Sequence, residues 1–345
     1  MDNTSEKNKK YFGAANGFCG FRSNFGEIFS PRRLDKIFII KGGPGTGKSS
    51  FMRRVKEELS SKMDVTEILC SSDPNSLDGI LIGKNEVTIG IADGTAPHTM
   101  DAEYPGAVEE IVNLGEAFDF KRLSENKTDI FDLSDNKKRC YSDAYSSLKV
   151  AGLIYENITA IYSKNGIYDK AESAIKEFIC DEIPSAKDSV KTKFLIGAFC
   201  KNGYVRLESD MSKRKILIKG DGISEYIVMS KLKDLLLRNG IYYKTFSSAF
   251  SDKIYDGIET EQSFYTISGG SEYTMDTTQL IPISYEYEQL KTSYRAMLES
   301  AQLSLIKASE YHFKMESIYS SAIDFSKNNE KCDTIIDKIN VILNK

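Results

Sequence analysis

Two long segments of this 345-residue chain resemble each other. The segment KIFIIKGGPGTGKSSFMRRVKEEL begins at Lys36, and a shorter counterpart, KILIKGDGISEYIVMSKLKDLL, begins at Lys215. Further blocks recur in the same order: GAANGFCGF from Gly13 as GAFCKNGYVRL from Gly197, Ser71-Ser72 as Ser247-Ser248, Asp78-Gly79 as Asp256-Gly257, and ADGTAPHTMD from Ala92 as ISGGSEYTMD from Ile267. Because these blocks are all separated by nearly half the chain length, the sequence indicates an internal duplication.

Each half alternates strand patterns with helical patterns. Short segments rich in Val and Ile, typical of buried strands, occur in both halves: KIFII, DVTEILC and EVTIGIAD in the first, and KILI, IYYKTFS and QSFYTIS in the second. Helical patterns separate them, and such alternation favours a parallel sheet built of βαβ units. We therefore expect an α/β protein with two tandem, three-layer α/β units.

Both halves end in long helical patterns. Apolar residues keep helical spacing from Tyr141 to Tyr162 and from Leu290 to Ala322, which predicts two long helical arms. We expect the arms to pack on the sheets or on each other, and the alternative is that they bind a protein partner or a second copy of the chain. The polar segment DEIPSAKDSVKTK predicts a boundary between one unit at 1–183 and another at 193–345.

A phosphate-loop motif follows the first predicted strand. GGPGTGKS fits G-x-x-x-x-G-K-[S/T] and lies between a strand pattern and a helical pattern, as that motif requires. Glycines permit positive φ angles, so backbone N–H groups can surround a β-phosphate, and the helix N-terminus adds a positive dipole end. Lys48 would reach the β- and γ-phosphates. The predicted nucleotide-binding residues are Gly42, Gly43, Pro44, Gly45, Thr46, Gly47, Lys48, Ser49 and Ser50.

An acidic residue ends the strand pattern EVTIGIAD. Asp93 stands where a phosphate-loop protein needs a carboxylate for Mg²⁺, and the Ser49 hydroxyl is the expected second ligand. In the following loop, Thr95 or His98 would sense the γ-phosphate or orient a water, whereas His98 as a hydrogen-bonded loop histidine is the alternative. Lys48, Asp93 and His98 are the predicted catalytic residues.

Two roles stay open at the level of sequence. Hydrolytic phosphate-loop proteins commonly use a glutamate near the strand end to orient water. Glycine follows Asp93 here, so Glu67, Glu103 or a group from elsewhere would have to supply that carboxylate. Asp73 and Asp78 lie where small-molecule kinases often hold the acceptor hydroxyl, and turn formation by SSDPNSLDG is the competing interpretation.

The second copy of the loop lacks the residues that bind phosphate. In KGDGISEY, Glu225 and Tyr226 occupy the region where the lysine and serine would fall. Ser268 and Tyr273 replace the aspartate and histidine of the first copy. Because a carboxylate in the loop would repel phosphate, we expect a degenerate second unit that binds no Mg²⁺–nucleotide and shields the first.

These motifs resemble a family of bacterial P-loop proteins, mostly from Bacillus- and Clostridium-type organisms, whose members are labelled ATPases or nucleotide kinases. The resemblance rests on KGGPGTGKS, CSSDPNSLDG, IADGTAPH and YPGAVEEIVNLGE, and it covers nearly the whole chain because family members are tandem. Members commonly keep a phosphate loop in both halves, and this chain departs from them there. We expect Mg²⁺-dependent ATP hydrolysis at one site; the alternatives are a small-molecule or nucleotide kinase and a non-catalytic nucleotide sensor.

The composition indicates which classes of binding partner and which cellular compartment to expect. A net charge of −4 and a pI of about 5.6 argue against a protein whose surface is largely covered by bound nucleic acid. The six cysteines form no C-x-x-C pair, which predicts no structural zinc and favours reduced thiols in the cytoplasm. The polar start MDNTSEKNKKYFG predicts no signal peptide, and no apolar run is long enough to suggest a membrane span.

Overall fold

The computed structural model describes residues 9–164, 166–208, 213–282 and 284–344. In the first half, the elements in chain order are β1 (Lys10–Phe12), β2 (Ala14–Gly17), β3 (Gly20–Ser23), α1 (Phe25–Ile28), β4 (Lys36–Lys41), α2 (Lys48–Leu59), β5 (Asp64–Leu69), β6 (Leu77–Lys84), β7 (Val87–Asp93), β8 (Glu109–Asn113), α3 (Phe120–Glu125), α4 (Lys127–Lys164) and α5 (Ile167–Phe178). A 3₁₀ turn at Leu114–Ala117 follows β8.

The second half repeats much of this order. Its elements are β9 (Val190–Lys191), β10 (Gly197–Cys200), β11 (Gly203–Arg206), β12 (Arg214–Lys219), α6 (Ser224–Arg238), β13 (Lys244–Ser247), β14 (Tyr255–Glu259), β15 (Ser263–Thr266), β16 (Tyr273–Asp276), α7 (Tyr285–Ser320) and α8 (Phe325–Leu343), with a 3₁₀ turn at Thr278–Leu280. The predicted long helical arms correspond to α4 and α7. In the ranges given above, none of the helices combines the length and the hydropathy that a membrane span requires.

The two six-stranded sheets have the same topology. The first has the order β1-β5-β6-β7-β4-β8, and the second has the order β9-β13-β14-β15-β12-β16. In the first sheet β4 is parallel to β7 and β8, and in the second β12 is parallel to β15 and β16. The protein is therefore mixed α/β with two sheet-bearing halves, and the matching strand order is what an internal duplication predicts.

The parallel sheet that the alternating patterns favour is observed only in part, because each sheet also contains one antiparallel strand. Strand β6 is antiparallel to both β5 and β7, and β14 takes the same position in the second sheet. The physical reason is a tight hairpin between β6 and β7, in which Lys84 pairs with Val87 and Asn85 adopts a φ of 55°. Asparagine tolerates this left-handed conformation better than most residues do, so a strand can follow immediately.

The compact units do not follow the predicted boundary between 1–183 and 193–345. Unit 1 comprises the described residues of Met1–Ala14, Ser23–Ser142 and Ser304–Lys345, and unit 2 comprises those of Ala15–Arg22 and Asp143–Leu303. Helix α8, from the second half of the sequence, packs on α2 in unit 1, whereas α5, from the first half, packs on α6 in unit 2. Each half of the sequence therefore contributes one of its helices to the unit that contains the other half's sheet.

Amphipathic helices cover the sheets and form the cores. Helix α2 turns one stripe toward β6, and its buried residues are Phe51, Met52, Val55 and Leu59. Strand β4 is buried along its length, as a central strand covered on both faces should be. In unit 2 the corresponding core joins α4, α5, α6 and α7 to strands β12, β14, β15 and β16.

Candidate phosphate-binding site

The loop between β4 and α2 adopts the curled conformation that its glycines permit. Gly45 has a φ of 68°, and Gly47, which caps the N-terminus of α2, has a φ of 84°. Both angles lie in the left-handed region, where a side chain would be strained. Thr46 is buried, and its hydroxyl donates a hydrogen bond of 2.9 Å to the carbonyl oxygen of Gly43, which closes the loop on itself.

Lys48 and Asp93 lie close together at the carboxyl ends of two inner strands of the first sheet. Strands β4 and β7 are parallel neighbours, with Ile40 opposite Asp93, so the loop and the carboxylate follow the same ends of adjacent strands. Lys48 Nζ donates to the carbonyl oxygens of Gly42 at 2.9 Å and of Gly43 at 3.0 Å, and it lies 3.6 Å from Asp93 Oδ2. Burial raises the pKa of Asp93, while the positive charge of Lys48 acts in the opposite direction.

The hydroxyl groups of Thr95 and Ser49, which follow β7 and begin α2, form hydrogen bonds to neighbouring protein groups. Thr95 donates two hydrogen bonds to Asp93 Oδ1, from its backbone N–H at 2.8 Å and from its hydroxyl at 2.6 Å. The Ser49 hydroxyl accepts from the backbone N–H of Leu77 at 3.0 Å, and Ser50 is exposed on the first turn of α2. Within the described ranges no group of three or more His, Cys, Asp and Glu side chains could hold a metal ion by itself.

The structure joins two candidate residues that the sequence left separate. His98 Nε2 lies 3.0 Å from Asp78 Oδ2, and His98 Nδ1 lies 3.4 Å from the hydroxyl oxygen of Ser23. Both His98 and Asp78 are buried, and the imidazole stacks on the ring of Phe25 at 4.1 Å. The charge of Asp78 also contributes to the raised pKa of Asp93, so the Asp78–His98 pair lies close to the Lys48–Asp93 pair.

The other candidate carboxylates have different roles. Glu67 pairs with Lys56 at 2.8 Å on the outer part of the sheet. Asp73 accepts a hydrogen bond from the backbone N–H of Asn75, as the turn interpretation predicts. Glu103 donates its backbone N–H to the carboxylate of Glu109. None of these contacts brings a side-chain carboxylate to the phosphate loop.

A segment that sequence reasoning missed lies on the phosphate loop, and we call residues 316–328 the strap. A methyl group added at Gly45 would lie 2.6 Å from the main-chain oxygen of Glu316. Similar additions would lie 3.2 Å from the Tyr319 ring at Gly43 and 3.4 Å from the Phe325 ring at Gly47. Asn328 Nδ2 donates a hydrogen bond of 3.1 Å to the carbonyl oxygen of Thr46. No motif marks these residues, which only the packing of α7 and α8 in unit 1 brings to the loop.

The second copy of the loop, in unit 2, is filled by its own carboxylates. Asp221 Oδ1 accepts the backbone N–H groups of Ile223 and Ser224, and Glu225 accepts the N–H of Gly222 at 2.9 and 3.1 Å. Lys291 Nζ lies 2.6 Å from Asp221 Oδ2.

Burial acts to raise the pKa of Asp221, yet hydrogen bonds from Lys291, Tyr287 and the Ser224 N–H lower it to about 2. Tyr226 is buried, and its hydroxyl accepts from Arg206. Ser268 donates its backbone N–H to the Thr266 hydroxyl, and Tyr273 is exposed. Asp221 and Glu225 therefore occupy the backbone N–H groups of Gly222, Ile223 and Ser224, which a phosphate at this loop would need.

Comparison of the chain with protein-family models, with curated proteins and with solved structures finds no match. The function proposed next therefore depends on the residues and geometry of unit 1.

Proposed function

We propose that unit 1 is a P-loop unit that binds Mg²⁺–ATP at residues Gly42–Ser50 and hydrolyses it. The observation that carries this proposal is the placement of Lys48, which follows a glycine loop and lies 3.6 Å from a carboxylate on the adjacent parallel strand. The resemblance to P-loop ATPases and nucleotide kinases supports the same proposal.

Each residue has a defined task in this proposal. Backbone N–H groups of the loop bind the β-phosphate, and Lys48 exchanges its carbonyl partners for β- and γ-phosphate oxygens. Ser49 and Asp93 fit a Mg²⁺ site, because this ion usually takes one or two protein oxygens and completes its shell with phosphate oxygens and water. When bound there, Mg²⁺ would offset the negative charge of the triphosphate.

We assign the proton-accepting role to His98. With Nε2–H donated to Asp78, the lone pair is on Nδ1, and the carboxylate stabilises the imidazolium that forms when Nδ1 accepts a proton. Its position near Asp93 would allow it to accept the proton of an attacking hydroxyl or water, by way of Ser23 or directly.

Phosphoryl transfer to a small acceptor is the second candidate function. The buried Asp78–His98 pair is equally compatible with it, because a base that can accept a proton from water can also accept one from a bound hydroxyl. Phosphate release from Mg²⁺–ATP, with and without a panel of nucleosides, separates the functions. Hydrolysis gives phosphate with ATP alone, a kinase gives ADP without phosphate when its acceptor is present, and binding without turnover identifies a sensor.

Binding itself is tested by thermal unfolding. Mg²⁺–ATP at 100 times its dissociation constant stabilises a protein by about 2.7 kcal/mol, so we expect a clear rise in Tm. Lys48→Ala should remove this rise, whereas Lys62→Ala, an exposed lysine just beyond α2, should retain it. An unchanged Tm in millimolar Mg²⁺–ATP would contradict the proposal.

The compartment and partners belong to the same proposal. No disulfide joins any of the six cysteines, all of which lie in described residues, and this favours a reducing compartment such as the cytoplasm. The helical arms expose large apolar side chains, namely Phe131 and Leu153 on α4 and Leu303 and Phe313 on α7. Binding of a protein partner or a second copy through the arms stays a prediction.

A further inference from the structure

Aromatic side chains flank the phosphate loop in unit 1. A methyl group added at Gly43 would lie 3.2 Å from the ring of Tyr319 and 3.6 Å from that of Phe118, and one added at Gly47 would lie 3.4 Å from the ring of Phe325. We call Phe118, Tyr319 and Phe325 the collar. Phenylalanine rings carry no hydrogen-bonding atom, so Phe118 and Phe325 lie beside the loop without using the N–H groups that a phosphate needs.

Backbone hydrogen bonds hold two members of the collar in place. Phe118 forms an antiparallel bridge with Ile323, and the neighbouring N–H of Asp119 donates to the carbonyl oxygen of Ala322 at 2.8 Å. Phe325 begins α8 two residues after this bridge. The turn after β8 and the start of α8 therefore form one local structure, and rings that are already positioned lose little conformational entropy when a ligand contacts them.

The topology of the first sheet places the collar on the opposite side of the loop from Asp93. Strand β4, which the loop follows, lies between β7 and β8, and all three strands are parallel. Asp93 ends β7, whereas Phe118 follows β8 after the 3₁₀ turn. In the proposed site the β-phosphate lies in the loop and the γ-phosphate lies near Lys48 and Asp93, so the α-phosphate and the nucleoside would extend toward the side of β8.

The collar has exposed aromatic surface on the side where a nucleoside would lie. Phe325 is 43% exposed, and the rings of Phe118 and Tyr319 are partly exposed, with their centres 5.5 Å apart. Every nucleobase has flat π-faces, and stacking on an aromatic side chain stabilises it without any hydrogen bond. The phosphate loop recognises only phosphate groups, whereas the collar adds apolar surface that suits the other end of the ligand.

We propose that the collar is the base-binding subsite of unit 1: the nucleobase stacks on Phe325, with Phe118 and Tyr319 as further apolar contacts. This inference rests on the proposed function, because it concerns the other end of the same ligand. The site then binds nucleoside triphosphates in preference to inorganic polyphosphates, since only the nucleotides add stacking to the phosphate contacts.

Isothermal titration with two ligands tests the collar. Mg²⁺–ATP has a base, whereas Mg²⁺–tripolyphosphate has a chain of three phosphates without one. Phe325→Leu keeps an apolar side chain and removes the ring, so we expect its Kd for Mg²⁺–ATP to rise about tenfold and its Kd for Mg²⁺–tripolyphosphate to stay within about twofold of the parent value. Phe131→Leu, the same change at a 55% exposed position of α4, should bind both ligands like the parent.

The outcomes separate the collar from the phosphate loop. Equal Kd values of Phe325→Leu and the parent for Mg²⁺–ATP, or an equal rise for both ligands, overturn the collar and leave the phosphate-binding site standing. Binding of neither ligand by the parent overturns the nucleotide site and the collar together.

Fluorescence of a base analogue gives an independent readout that does not need tripolyphosphate to bind. The chain contains no tryptophan, so the triphosphate of 2-aminopurine riboside can be excited selectively. Base stacking quenches the emission of this analogue, so the emission should fall when the parent or Phe131→Leu is saturated with it, and should fall less with Phe325→Leu. An equal decrease with all three proteins would show that the base does not stack on Phe325, and it would overturn the collar.

Discussion

Asp93 has one side-chain oxygen that is hydrogen-bonded within its own loop and one that faces Lys48. Asp93 keeps Thr95 on Oδ1 and turns Oδ2 toward Lys48, whose ammonium group is otherwise bonded to loop carbonyls. One oxygen of Asp93 is thus held within its loop, and under the proposed function the other would be available for the cation that accompanies the triphosphate. This division explains how one carboxylate could serve both the lysine and a metal ion.

Asp93→Asn should therefore weaken Mg²⁺-dependent turnover far more than Mg²⁺-free nucleotide binding. Loss of the charged ligand should raise the Mg²⁺ concentration for half-maximal phosphate release by about 10- to 100-fold. Asp101→Asn, which removes an exposed carboxylate that pairs with Lys41, is the matched control. Turnover equal to the parent at low Mg²⁺ would show that Asp93 is not a metal ligand.

A buried aspartate in unit 2 predicts a pH effect on stability. Asp256 is 1% exposed, and burial raises its pKa to about 6, against the charge of Arg206 and the hydrogen bond of 2.6 Å from the Tyr204 hydroxyl. A carboxyl with a raised pKa is protonated more readily in the folded chain, so its contribution to stability increases as pH falls from about 7 towards 4.

The comparison of parent and Asp256→Asn isolates this effect. Asparagine cannot titrate, so urea unfolding should show the parent gaining about 1.4 kcal/mol of stability relative to the variant between pH 7.5 and pH 5, which is one pH unit below the raised pKa. A difference between the two proteins that does not change with pH would show that Asp256 titrates normally in the folded state.

The sequence predicts site residues that directly follow recognisable strands, but it does not predict contacts between residues that are brought together only in the folded protein. Lys48 and Asp93 are predicted to belong to one site because each follows an apolar run that is recognisable as a strand and ends in a loop. The Asp78–His98 pair could not, because the turn chemistry around Asp78 hid the start of β6. Glu316 lies far from the loop in sequence, and no residue near it resembles a nucleotide motif.

At the scale of elements, α7 holds the second loop through Asp221, which accepts hydrogen bonds from Tyr287 and Arg295 and pairs with Lys291. Lys291→Met should leave Asp221 buried without its cation, and breaking such a pair costs about 3 kcal/mol or more. Lys307→Met changes an exposed lysine on the same helix and should have little effect. The midpoints of urea unfolding compare them, and Asp221→Asn should recover part of the loss in Lys291→Met. Equal midpoints for Lys291→Met and the parent would show that the pair adds nothing.

Element prediction failed where two signals conflicted. Strands β4, β5 and β7 were found from their apolar runs, and α4 and α7 from their helical spacing. The sequence predicts no strand at β6 or β14, because turn-forming residues precede both segments and glycine interrupts them. The sequence does not indicate which unit α5 and α8 pack in. An amphipathic pattern shows that one face of a helix is buried, but it does not identify the sheet or helix that covers this face.

For the whole molecule, the two loops predict one nucleotide per chain. Isothermal titration should give a stoichiometry near one, because Asp221 and Glu225 hold the loop of unit 2. Glu225→Ala should leave the ATP affinity unchanged. A stoichiometry near two, with the second event surviving Lys48→Ala, would show that the second copy still binds nucleotide.

Helix α8 of the second half packs on α2 of the first, and α5 of the first half packs on α6 of the second, so neither half of the sequence contains all the helices of its own unit. Fragment 1–183 has α2 without α8, and fragment 193–345 has α6 without α5, so each exposes an apolar helix face when it is alone. Expressed separately, the fragments should aggregate; co-expressed, they should purify as a one-to-one complex by size-exclusion chromatography. Two separately folded monomeric fragments would contradict this. The stretch 184–192, which contains β9 of the second sheet, is the covalent link between the two fragments. This link supplies a high effective concentration for an assembly that separate fragments would have to achieve by collision.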